Sequence, residues 1–324
     1  CFVFTGPATG LRLANPTLHV RPMTRAFVTR QRAGTVRGAA AVSLIETPAD
    51  TYHILAEKGR ANSMLPAGKT LHASIMGGLQ VGIGGLLCLT VCGNMPGVAA
   101  SNPGLVKFVF GALFPVCLVL VLNSGTQLYT GNTATMASAY WEGKISLADV
   151  LKSWSLSFVG NVIGCGLMVW VGAYTGLLSG GCAAMASAVG IAKCGAGAGS
   201  FGQMLVKGIF CNYLVCMAVF LATQARDMAG RYIGIAVPIS TFVATGFEHS
   251  VANLFLLPAA LVAGSPVSLR DVLMKNLLPV SIGNAIAGSF LIGMSFSYAF
   301  GKLGGCARDE GCELGESAVD VRAS

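Results

Sequence analysis

Seven stretches of the chain carry no Asp, Glu, Lys or Arg: 70–106, 108–141, 153–192, 208–225, 232–247, 250–269 and 276–301. A helix crossing a hydrocarbon core of roughly 30 Å needs about 20 apolar residues, so the pattern predicts membrane spans. Four follow directly, at about 70–92, 150–176, 201–224 and 277–301. The other two regions have lengths that fit neither one span nor two. As a single helix, 108–141 would be roughly 51 Å long, and its middle, Asn123-Ser124-Gly125-Thr126-Gln127-Leu128-Tyr129-Thr130-Gly131-Asn132-Thr133, is polar and glycine-bearing. The stretch 232–269 is interrupted in the same way by Thr245-Gly246-Phe247-Glu248-His249-Ser250-Val251-Ala252-Asn253. Each reads as a broken span, with a half-helix on either side of an irregular loop. Such a loop is tolerated at membrane depth only where protein or a cavity satisfies its backbone.

The two breaks correspond. Setting Ser124–Asn132 over Thr245–Asn253 aligns Gly with Gly and Asn with Asn at an offset of 121, and Gly160-Asn161 falls opposite Gly283-Asn284 at an offset of 123. Spans one to three and four to six are therefore predicted repeats, antiparallel in the membrane, with interrupted segments that point to a transport site. Before them, Thr47-Pro48-Ala49-Asp50 carries a helix start, with Thr47 as cap and Pro48 at the first position. It opens a short amphipathic surface segment over 46–68. The six-span domain is predicted over 69–303, with a Gly/Ala/Ser-rich loop at 177–200, and an acidic tail follows over 304–324. Lys and Arg near the spans number nine on the N-terminal side and four on the other, which predicts both termini on the cytosol-equivalent side.

Composition fits an all-α polytopic membrane protein and excludes an ordinary soluble enzyme. Charged residues make up 10% of the chain and hydrophobic ones 54%, against roughly 25% charge in soluble domains. The 43 Gly suit close helix contacts in lipid. Six of the +8 net charges are the arginines at 12, 21, 25, 30, 32 and 37, ahead of the first acid, Glu46. The remainder is close to neutral and gives nucleic-acid binding no support. An Arg-rich, acid-free stretch predicts an organelle transit peptide over 1–45. Most cysteines lie in apolar runs, where a thiol packs as a small hydrophobe. No spacing suggests a metal site, and no cofactor is implied.

Leu128-Tyr129-Thr130-Gly131-Asn132, Cys211-Asn212-Tyr213-Leu214-Val215-Cys216, Gly246-Phe247-Glu248-His249-Ser250-Val251-Ala252-Asn253 and Leu278-Pro279-Val280-Ser281-Ile282-Gly283-Asn284 resemble signatures of the formate/nitrite transporter family. The resemblance covers roughly 50–302. It implies an aquaporin-like six-span protomer with helices 2 and 5 broken, and a homopentamer with one pore per protomer. With the transit peptide, the chain resembles the algal chloroplast-envelope nitrite transporter branch, so an inner-envelope location is expected, with the plasma membrane as alternative. The resemblance further implies that Phe114, Leu118, Leu128, Tyr129, Val215 and Phe242 narrow a pore. Thr130, Asn212 and His249 match its central polar positions, and Asn253 and Asn284 match structural asparagines. Tyr129 stands where Phe is commoner, which adds a hydroxyl to one constriction. Lys193 corresponds to a vestibule lysine of the family.

His249 is the one histidine inside a span region. Ionisable groups at membrane depth face the bundle interior and mark substrate or proton paths, and this one sits in a helix break. Glu248 is expected to anchor the broken segment, since a permanent carboxylate would repel an anion, and Lys207 is expected to snorkel. The function that follows is passage of a small monovalent anion, nitrite or formate, with nitrite favoured for plastid delivery. A bare anion between apolar rings faces a prohibitive desolvation cost. His249 would supply a proton or a hydrogen bond, so that substrate crosses as the neutral acid or balanced by imidazolium. A water or small-neutral-solute channel is the alternative, although the paired Asn-Pro-Ala tips of such channels are missing. An integral-membrane enzyme would rest on Glu248 and His249 alone.

Overall fold

The computed structural model describes residues 43–305, all helical apart from one isolated antiparallel bridge between Ile45 and Ala225. Residues 1–42 of the expected transit peptide and 306–324 of the acidic tail lie outside the described residues. Among the described residues, six helical segments are long and apolar enough to cross a membrane: Ala67–Gly93, Pro103–Ser124, Leu147–Tyr174, Phe201–Gln224, Met228–Thr245 and Leu269–Phe300.

Helix α1 (Pro48–Ser63) starts as its sequence dictates, with the Asp50 amide donating to Thr47 Oγ1 at 3.1 Å. One face is fully buried through Tyr52, Leu55 and Ala56. Lys144 and Arg60 lie 2.7 and 2.8 Å from the Glu57 carboxylate and hold its pKa down to about 2. The lysine belongs to the turn after the first broken span, so this contact pins α1 to the bundle.

Helices α2 (Ala67–Gly93), α3 (Pro96–Ser101), α4 (Pro103–Leu113), α5 (Val116–Ser124), α6 (Tyr129–Trp141) and α7 (Leu147–Tyr174) make the first half. Between α2 and α7 the contact is backbone on backbone: a Cβ at Gly78 would meet Asn161, and one at Gly164 would meet the Ile75 carbonyl. The second half repeats this, with Gly283 of the last span against the Leu205 carbonyl and Gly208 against Val280. Small residues do here what apolar burial does in water, bringing helix axes close enough for dispersion to act.

One expectation is corrected. The Gly/Ala/Ser-rich stretch 177–200 is not a loop throughout: α8 (Gly180–Cys194) occupies most of it. Its buried positions Cys182, Ala186, Gly190 and Cys194 recur every four residues, a helical period written in small side chains, and Ala is the strongest helix former.

Helices α9 (Phe201–Gln224), α10 (Met228–Thr245), α11 (Ser250–Val262) and the last span Leu269–Phe300 complete the bundle. That span winds as π-helix over Val272–Leu277 and Ala287–Met294. Both breaks fall where the length arithmetic puts them. Helix α5 ends at Gly125 (φ 73°) and α10 at Gly246 (φ 86°), left-handed positions that glycine fills without a Cβ clash.

Candidate transport pathway

The backbone left unpaired by each break is taken up by an asparagine from the third span of the same half. Asn161 Oδ1 accepts the Tyr129 amide at 2.9 Å, while its Nδ2 donates to the carbonyls of Ser74 (2.7 Å) and Gln127 (3.0 Å). Asn284 repeats the arrangement: Oδ1 accepts the Ser250 amide at 2.9 Å, and Nδ2 donates to the carbonyls of Gly208 (2.8 Å) and Glu248 (3.2 Å). The two asparagines are fully buried. Beside these frames sit two matching side-chain clusters. Asn132 donates to Gln127 Oε1 at 3.0 Å and lies 3.4 Å from Ser153 Oγ. Asn253 donates to Glu248 Oε2 at 2.8 Å and to Asn276 Oδ1 at 2.6 Å. The repeat inferred from sequence offsets is thus present bond by bond.

The halves differ in charge. Glu248, in place of Gln127, is buried with its carboxylate 2.7 Å from Lys193 Nζ and 3.2 Å from Asn276 Nδ2. Its side chain therefore anchors other side chains, Lys193 of α8 among them, whereas the Ser250 amide is held by Asn284 and the Glu248 amide by the Lys207 carbonyl. A buried carboxylate is tolerated when paired and fully hydrogen-bonded.

His249 is the N-cap of α11. Its Nδ1 accepts the Ala252 amide at 2.9 Å, which leaves the neutral ring its proton on Nε2. The ring stacks on Phe242 with centroids 5.6 Å apart and lines a cavity of about 350 Å³ shared with Lys107, Phe114, Lys193, Lys207 and Glu248. A second cavity, of about 60 Å³, is lined by Lys58, Leu118, Gln127, Leu128 and Asn132. Phe114 and Phe242 meet edge to face at 6.3 Å in the wall of the larger cavity. Leu118 and Leu128 belong to the smaller one.

The remaining residues singled out from the sequence sit apart from these cavities. Asn212 is fully buried and donates to the Asn284 carbonyl at 2.6 Å and to Thr133 Oγ1 at 2.8 Å. Among the described residues its Oδ1 has no partner, and neither has Thr130 Oγ1. Thr130 makes no hydrogen bond to His249 among the described residues. Each such buried polar atom costs about 1–3 kcal/mol if left dry. Val215 is buried in the apolar core.

Tyr129 lies elsewhere, against the expectation of a hydroxyl in a constriction. Its ring packs edge-on against Trp154 and Phe158, its hydroxyl donates to the Ser281 carbonyl at 3.0 Å, and it lines an apolar groove with Trp141 and Leu278. As the first residue of α6, it takes its direction from the preceding loop. Tyr129→Phe is therefore expected to change anion uptake less than about twofold while losing about 1 kcal/mol of stability, one neutral hydrogen bond. A change in substrate preference would contradict this placement.

One residue of the site, Asn276, has no local sequence signature, and Lys207 does more than snorkel. Asn276 is held in the π-helical turn beside Glu248, and the matching offset of 123 from Ser153 could have located it. Lys207 lines the larger cavity, and its carbonyl receives the Glu248 amide at 3.4 Å.

The sequence profile of the formate/nitrite transporter family matches residues 49–298. The chain belongs to this family. It is 35% identical over 274 residues to a probable formate transporter of Methanothermobacter thermautotrophicus, covering 80% of this chain and 99% of that one. Identity is also 35% over 257 residues to the formate channel BtFdhC of Bacillus thuringiensis, covering 79% and 96%. A solved FNT family ion channel superposes with a TM-score of 0.70 at 26% identity, covering 77% of this chain and 98% of its own. A pentameric formate channel with formate bound gives a TM-score of 0.62 at 27% identity, covering 71% and 96%. These relatives are transporters and channels, not enzymes. As a family member, the chain is an integral membrane protein that transports small anions.

Proposed function

We propose that this family member carries nitrite, with formate as a second substrate, and that passage is linked to a proton. The observation behind the reading is the ring of His249, which lines the larger cavity while its Nδ1 is occupied as a helix cap. Nε2–H is then a hydrogen-bond donor facing the substrate. An imidazolium would carry a proton on both nitrogens and forfeit the cap to Ala252. The cap therefore supports passage as the neutral acid over passage as an anion balanced by imidazolium.

In this reading the anion collects in the larger cavity and accepts a hydrogen bond from Nε2–H. It takes its proton from the vestibule and crosses the apolar step formed by Phe114, Phe242, Leu118 and Leu128. That step excludes the bare ion because nothing there replaces its water. Thr130 Oγ1 and Asn212 Oδ1, which line neither cavity and have no partner among the described residues, receive the permeant or its water beyond them. Val215 backs this path, and Glu248, Asn253 and Asn284 hold its shape.

Likeness to the pentameric formate channel supports a homopentamer with a pathway in each protomer. The Arg-rich residues 1–45 support import to the chloroplast inner envelope, and the Lys/Arg bias supports both termini on the stromal side. Residues 46–68 serve as a surface segment to the transport domain 69–303, and 304–324 as a solvated tail.

The test is uptake into proteoliposomes. Nitrite influx is expected to rise with an inward proton gradient and to be inhibited by formate. Osmotic swelling without anion uptake would replace this reading with a channel for water or small neutral solutes.

A further inference from the structure

We infer that Lys207, not Lys193, is the cation that gathers the anion in the larger cavity and sets affinity for it. The inference rests on the transport reading above and adds the residue that selects for charge.

Three lysines line that cavity: Lys107, Lys193 and Lys207. They are not equivalent. The charge of Lys193 is matched at 2.7 Å by Glu248. That carboxylate is fixed by Asn253 and Asn276 through the same oxygen, so it stays with the lysine. Such a pair presents a dipole to an approaching anion, with no net charge. Lys107 is exposed at the start of α4, where water and salt screen it.

Lys207 combines the two missing properties. Among the described residues no acid lies within salt-bridge distance of it, and it is half-buried. Its backbone carbonyl holds the amide of Glu248, the residue before His249, so its position on α9 is tied to the loop that carries the ring. A partly buried charge is screened less than an exposed one, and a charged cleft with apolar walls raises the local concentration of its counter-ion. Two uncompensated positive charges thus serve the cavity, and the one anchored next to the substrate-facing ring is Lys207.

The experiment is initial uptake of nitrite and formate by proteoliposomes carrying the full chain. It is measured against substrate concentration at about 0.01 M and about 1 M ionic strength, where the Debye length is about 30 Å and about 3 Å. Lys207→Gln is expected to raise KM about 5- to 20-fold at low salt, to leave the maximal rate within about twofold, and to approach wild type at high salt. Lys207→Arg keeps the wild-type KM. A Lys207→Cys variant labelled with a thiol reagent bearing an ammonium group recovers affinity, whereas a reagent bearing a sulfonate weakens it further. Wild type treated with both reagents measures the background from native cysteines. An unchanged KM for Lys207→Gln at low salt overturns the inference, as does a rise that the added ammonium fails to reverse. Wild-type protein with no uptake overturns the transport reading itself.

Discussion

Proteoliposomes carrying His249→Asn are expected to take up nitrite about 10- to 100-fold more slowly than wild type, at every imposed proton gradient. The substitution separates two tasks of one side chain. Asparagine is among the best N-caps, so the Ala252 amide that His249 Nδ1 now receives at 2.9 Å keeps a partner. What disappears is the Nε2–H donor of a ring that lines the cavity. A hydrogen bond to a charged acceptor is worth about 1.5–3 kcal/mol, and each 1.4 kcal/mol is about a factor of ten, which gives the range. His249→Ala removes cap and donor together and should lower thermal stability as well. Undiminished, gradient-driven uptake by His249→Asn would refute the central place assigned to this ring.

Asn284→Leu is expected to have the largest effect on the fold. The side chain is fully buried and completes three backbone groups at once: the first amide of α11 and the carbonyls of Gly208 and Glu248. Leucine fills a similar volume and satisfies none of them. The Gly208 carbonyl keeps its bond within α9, so two groups are left unpaired and the loss at about 1–3 kcal/mol each is about 2–6 kcal/mol, a large share of the stability of many domains. Heating in detergent followed by size-exclusion chromatography reads the outcome as early aggregation and low yield. Asn284→Asp, which retains the acceptor for the Ser250 amide, should fall between the two. By the correspondence of the halves, Asn161→Leu should behave like Asn284→Leu. A wild-type melting profile for either leucine variant would mean that other groups or water hold the breaks open.

Much of this arrangement was legible in the sequence because a bilayer restricts the choices. Uncharged runs gave the spans, and two runs of awkward length gave the breaks, with Gly125 and Gly246 at the turns. The offsets of 121 and 123 gave the correspondence that the asparagine frames display. Less legible was whatever depends on distance across the bundle. Glu248 meets a lysine 55 residues away, and nothing local to the Gly-Phe-Glu-His-Ser block announces that partner. Tyr129 follows an irregular loop, and helical spacing cannot carry direction through such a loop. Helix α8 was masked because alanine, glycine and serine read as a linker by composition, although their four-residue period is helical. Lys207 reads from the sequence only as a snorkelling side chain, because one lysine near the end of a span carries no pattern that places it on a cavity.

The asparagine frames also order events during synthesis. The amide of Tyr129 awaits an acceptor 32 residues downstream, and that of Ser250 one 34 residues downstream. Neither interrupted segment can close its hydrogen bonds until the helix after it has entered the bilayer. Each half therefore completes its buried hydrogen bonds only as a unit of three spans, and the second half does so only once Asn284 has been made.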